Sequence, residues 1–110
     1  MKSARLSRGS LVVVYLQSPK EKVWGVLLET QGSGVVVRGL DLAVFEDWMR
    51  QEARGVETLI GPTTLFYPMH RVERVELDET VGPVVAFGER FAGEVGRPAL
   101  EALGFDPEEA

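Results

Sequence analysis

The chain contains no cysteine, which excludes disulfides, thiolate metal sites and cysteine nucleophiles. It contains no asparagine, and its only histidine is His70. It has no long apolar run. The longest uninterrupted one, Leu11 to Leu16, is far shorter than the roughly 20 residues of a membrane-spanning helix. The opening "MKSARLSRGS" is basic, but a valine-rich stretch and then "QSPKEK" follow, without a small-residue cleavage site. That stretch reads as a strand rather than the core of a signal peptide, so a cytoplasmic location is expected. Basic charge is also scarce: 12 Lys and Arg stand against 17 Asp and Glu, for a net charge of −5. Non-specific nucleic-acid binding relies on clustered cations against phosphate, so here it would need a local basic patch. The candidates are Lys2, Arg5 and Arg8, and the pair Arg71 and Arg74.

What remains is the composition of a globular domain. The 110 residues fit a single domain, and a chain of this size buries roughly two-thirds of its unfolded surface. Arginine outnumbers lysine, and valine and glutamate abound; with asparagine missing, this bias suggests a thermophilic source.

The β-branched and aromatic "SLVVVYLQ" predicts a strand buried on both faces. "SPKE" is a turn, and "KVWGVLLET" a second strand whose interior Gly25 marks a bend or a close backbone approach. "QGSG" is a hairpin loop before a third strand, "VVVRG", completing an antiparallel meander. The period then changes. Leu42, Phe45, Trp48 and Met49 fall on one helical face, with Asp41 as N-cap and Gly55 as stop, predicting a helix over 42–54. "VETLIG" regains strand-like composition up to Gly61-Pro62, and "TTLFYP" is the firmer fourth strand. It should end at Pro68, which cannot donate to a ladder, and "PMHR" forms a tight corner into a fifth strand, "VERVELD". The C-terminal part over 83–104 is helical, with Pro83 as first helical residue, apolar Val84, Phe87, Phe91 and Val95, and a short second helix in "RPALEALG".

Five short strands over 11–78 suggest a small bent antiparallel barrel, mainly β with helices. "YPMHRVERVELD" resembles the junction between strands 4 and 5 of the Sm-like (Lsm) barrels, and "KVWGVLLETQGSGVVVRG" resembles their bent second strand and their third. SH3-like barrels show a similar pattern. The resemblance implies the fold, and it implies rings in which strand 4 of one subunit pairs with strand 5 of the next. It does not carry over an RNA site. Sm-like RNA binders place an asparagine between strands 2 and 3, where this chain has "ETQGSG", and an Arg-Gly between strands 4 and 5, where it has "PMHR". The inserted helix is a further departure.

His70 is the residue best suited to acid–base work, with Glu73, Glu76, Asp78 and Glu79 as neighbouring carboxylates. A catalytic zinc site generally takes three protein ligands, often histidines, and only carboxylates remain to complete one here. The serines (Ser3, Ser7, Ser10, Ser18, Ser33) sit in the N-terminal segment or in turns, none in a nucleophile elbow. "GSGVVVRG" lacks both the Walker lysine and a following helix, so it reads as a hairpin. Alternation places Phe66 and Tyr67 on opposite faces, so one of them should be exposed to a partner.

The expectation is a non-enzymatic protein without cofactor, working through protein contacts and self-associating, a two-fold dimer ahead of a ring. Its candidate binding surface is Tyr67, His70, Arg71 and Arg74. The alternatives are an Sm-like RNA or single-strand binder, and a small metal-dependent enzyme using His70.

Overall fold

The structure, a computed structural model, describes residues 6–109. Its elements are β1 (Leu11–Leu16), β2 (Glu21–Gln31), β3 (Gly34–Asp41), α1 (Phe45–Arg54), β4 (Thr63–Pro68), β5 (Val72–Leu77), α2 (Phe87–Val95) and α3 (Ala99–Ala102). A 3₁₀ turn, Leu42–Val44, leads into α1, and another, Met69–Arg71, joins β4 to β5. This is an α+β fold: a five-stranded antiparallel sheet in the order β4-β3-β2-β1-β5, with a helix after strand 3 and helices at the C-terminal end.

Strand β1 explains the architecture. Val12, Val14 and Leu16 point to one face and Val13 to the other, and all four are buried. A sheet apolar on both faces needs two covers. On one face Val13, Trp24, Val26 and Leu40 meet Phe45, Trp48 and Met49 of α1, Phe91 of α2, and Ala99 and Leu103 at α3. Aromatic rings dominate this layer: Trp24 meets Phe45 edge-on at 5.0 Å, and Trp48 stacks on Phe91 at 4.8 Å. Among the described residues Trp48 Nε1 has no hydrogen-bond partner, although the ring is wholly buried. An unmade buried bond costs about 1–3 kcal/mol. Removing a buried aromatic costs about 3–5 kcal/mol, so packing outweighs the orphaned donor.

The second cover is the sheet itself. Val12, Val14, Val23, Leu27, Val35 and Val37 form a second core, and Leu65 and Tyr67 of β4 with Val72, Val75 and Leu77 of β5 fold over it. The curl has identifiable devices. The β2–β3 register shifts between Leu27 and Glu29, and the β1–β5 register shifts between Tyr15 and Leu16, leaving Glu73 without a partner on β1. Gly25 and Gly39 lie opposite each other. A Cβ on Gly25 would sit 2.7 Å from Gly39 Cα and closer still to the Arg38 carbonyl.

Three expectations are corrected. The sheet does not close into a barrel: β4 and β5 are its two ends and do not pair with each other. The larger C-terminal helix starts at Phe87, not at Pro83. Val81 and Val84 exchange backbone hydrogen bonds of 2.9 and 3.0 Å across a turn in which Gly82 takes φ 56°. That turn is not helical, so Val84 is left exposed. Residues 56–62 form no strand: Leu59 is 94% exposed and its N–H goes to the Gln51 side chain. The N-cap at Asp41 and the stop at Gly55 are where expected, although Asp41 caps the 3₁₀ turn that precedes α1.

Gly39→Ala should therefore cost at least about 3 kcal/mol, the upper part of the overpacking range, because rigid backbone rather than a movable side chain meets the new methyl. Urea unfolding of the variant beside the native chain checks this, and a midpoint unchanged from native contradicts it.

Candidate interaction surface

The four residues expected to form one surface do not meet as one. Tyr67 is half-buried against the second core, and burial, followed by the Glu21 charge, pushes its hydroxyl above the ordinary tyrosine range. The exposed aromatic of that strand is Phe66, at 50%. Alternation anticipated that one of the two would be outside. Which one depended on the curl, which turned Tyr67 inward. His70 is exposed on the 3₁₀ corner, and it is its carbonyl, not its ring, that is engaged, accepting from Gln17 Nε2 at 3.1 Å. Arg71 donates to the carbonyls of Gln17 and Pro19 and to Glu21 at 2.8 Å. It locks the β1–β2 turn to the corner, which makes it a strut. Arg74 lies on the other face of β5, over the Tyr15 ring at 3.9 Å and 2.7 Å from Glu76.

The carboxylates near His70 are likewise dispersed. Among the described residues no three His, Cys, Asp or Glu side chains gather as a metal site. Of the basic candidates, Lys2 and Arg5 lie outside the described residues, as does Ser3. Arg8 donates to the carbonyls of Leu28 and Glu109.

The sequence reading took Asp78 as a carboxylate near His70 and missed its role as a cap. Its Oδ2 accepts from Trp24 Nε1 at 3.0 Å and Gly88 N at 2.7 Å, and its Oδ1 accepts from Phe87 N at 2.8 Å. One carboxylate thus joins the end of β5, the central tryptophan and the start of α2. It supplies acceptors to helix N–H groups that lack partners within the helix, and it sits where the helix dipole favours negative charge. Thr80 adds to this, accepting from Ala86 N at 3.0 Å and donating to Glu89. The "D-E-T" after an alternating strand was a capping signature, separated from its helix by a turn.

A groove with an exposed apolar rim starts beside Asp78. Its volume is about 750 Å³, and it runs between Tyr15, Glu76 and Leu77 on one side and Val81, Val84 and Val85 on the other. Val81, Val84 and Val85 are 65%, 67% and 48% exposed, an apolar rim next to an acidic strand. Alongside lies the free edge of β5, since β1 pairs with one side only and no described strand takes the other. The edge carries its own ion pair. Hydrogen bonding to Glu76 holds the Arg74 guanidinium above its ordinary range, and the same bond lowers the Glu76 carboxyl below its own. At the opposite end of the sheet the outer side of β4 is also free, with Phe66 and Met69 exposed near it.

Asp78→Ala should cost about 2–4 kcal/mol in urea unfolding, since a buried indole and two helix N–H groups lose a charged acceptor. A loss below 1 kcal/mol would mean that water replaces the carboxylate without penalty. His70→Ala should shift stability by no more than about 1 kcal/mol, as expected of an exposed corner. A shift of several kcal/mol would give the ring a role its position does not suggest.

No protein-family model, curated protein or solved structure matches this chain.

Proposed function

We propose that this chain is a non-enzymatic interaction module of the Sm-like or SH3-like small-β type that assembles with copies of itself through the open edges of its sheet. The observation that carries this reading is the sheet order, which among the described residues leaves β4 and β5 each with one unpaired side. Such edges expose backbone donors and acceptors, and natural proteins rarely leave them uncovered. The resemblance adds support: the fourth and fifth strands are the ones that Sm-like barrels pair between subunits. So do the exposed apolar side chains near both edges, Phe66 and Met69 at β4 and Val81, Val84 and Val85 beyond β5.

The competing readings have less behind them. Nucleic-acid binding calls for cations free to meet phosphate. Here Arg50, Arg71, Arg74, Arg90 and Arg97 all pair with carboxylates of the chain itself. An enzymatic role would rest on His70, which has no organised partner among the described residues.

Sedimentation equilibrium at micromolar concentration should report a mass above that of one chain. A single species at the mass of one chain overturns the reading.

A further inference from the structure

The open edge of β5 has a built-in register for one occupant, and the geometry points to a second copy of this chain, bound antiparallel, strand β5 to strand β5, across a two-fold axis at Val75. This inference rests on the self-association proposed above and specifies its edge and alignment.

The backbone decides which registers are available. Asp78 N donates to Leu11 O at 2.8 Å. In an antiparallel ladder the bonding direction alternates, so Arg74 and Glu76, opposite Tyr15 and Val13, also turn their backbone groups toward β1. The N–H and C=O groups of Val75 and Leu77 then face the open side. Two copies meeting edge to edge must therefore match these outward-facing residues with one another. Around the middle of this six-residue strand, an isologous pair can centre on Arg74, on Val75 or on Glu76.

Charge separates these three. Arg74 and Glu76 project from the same face of β5, the face of Tyr15, and their side chains are about half exposed, 50% and 47%. Centring on Arg74 sets Arg74 against Arg74. Centring on Glu76 sets Glu76 against Glu76. Directly opposed like charges destabilise a strand pair, and opposed unlike charges stabilise it. Only centring on Val75 places each Arg74 opposite the other copy's Glu76, twice over, in non-hydrogen-bonded positions, where side chains approach most closely. The four groups then alternate in sign around the axis. The ion pair already present within each strand holds these side chains in that line.

The flanks agree with the central pair. Beyond Leu77 the same alignment leads the other copy's exposed Met69 toward the rim of Val81, Val84 and Val85. Apolar contact there adds what a six-residue strand pair lacks in area. The unpaired Glu73 sets where the regular pairing ends. β4 is the poorer edge for such a pair. Met69 N donates to Ser33 O at 2.8 Å, so the nitrogen of Pro68 falls on the open side and offers no donor.

A charge-complementation experiment tests this by sedimentation equilibrium on the full chain. Arg74→Glu makes the edge wholly acidic at these two positions, and Glu76→Arg makes it wholly basic. Each variant alone should dimerise at least about tenfold more weakly, a change of about 1.4 kcal/mol. An equimolar mixture should recover the dimer, because acidic and basic edges then oppose each other at both positions. The double variant Arg74→Glu/Glu76→Arg, which keeps unlike charges within the strand and across the axis, should dimerise like the native chain. It also decides the matter if far-UV circular dichroism shows either single variant to be misfolded. A native oligomer larger than a dimer, a dimer indifferent to the single substitutions, or a mixture that fails to recover it would overturn the β5 pairing and leave self-association through another surface. A native chain found only as a monomer would overturn both.

Discussion

A sheet that is apolar on both faces cannot be stable alone, and the rest of this structure follows from that constraint. Each face of β1 to β3 must be taken out of water, at roughly 25 cal/mol for every Å² of apolar surface. Helices cover one face, with Trp24, Phe45, Trp48 and Phe91 as the bulk of the layer. The other is covered by curling the sheet until its own outer strands lie over it. Curling requires that backbones approach where the strands bend, hence two facing glycines at positions 25 and 39. The curl buries the second core without bringing β4 and β5 together, so the two outer strands stay open. The same solution that protects the core therefore creates the surface available to a partner.

Asp78 ties the two covers together. It stands where β5 ends, so it belongs to the curled sheet, yet it bonds the start of α2 and the indole at the centre of the helical layer. Two further contacts brace that layer, Arg90 with Glu46 and Arg97 with Glu52, each linking the C-terminal helices or their connection to α1. Because these pairs are partly exposed, their net worth is modest, on the order of 0–1 kcal/mol each. The Asp78 bonds reach the wholly buried Trp24 ring and two backbone N–H groups at the start of α2. The loop that follows, which carries Val81, Val84 and Val85, is anchored by them at both ends: Asp78 before it and Phe87 after it.

This arrangement bears on function by separating charge from apolar surface. Arg8, Arg38, Arg50, Arg71, Arg74, Arg90 and Arg97 are spent inside the molecule, on carboxylates, carbonyls and aromatic faces. Five of the exposed apolar side chains, Phe66, Met69, Val81, Val84 and Val85, lie instead near the two free edges. A surface of that kind suits backbone pairing with apolar flanks rather than phosphate recognition. Among the described residues no helix is long and apolar enough to cross a membrane.

Local chemistry was legible in the sequence. The alternation of β5, the helical spacing of Phe45, Trp48 and Met49, the Asp41 cap, the Gly55 stop and the break at Pro68 each depend on neighbours within a few residues, and each stands where it was read. What failed to show there depended on residues far apart in the chain. Val84 has helical spacing to Phe87, but Gly82 and the Val81–Val84 bonds take it out of the helix, and the cap comes from Asp78, nine residues before Phe87. Arg71 looked like a binding cation until its partners, about 50 residues earlier in the chain, were known. Tyr67 and Phe66 were equivalent by alternation, and only the direction of curl sent one inward. Whether a curled five-stranded sheet closes is likewise decided by summed twist and bulges over the whole sheet, a property no local pattern contains.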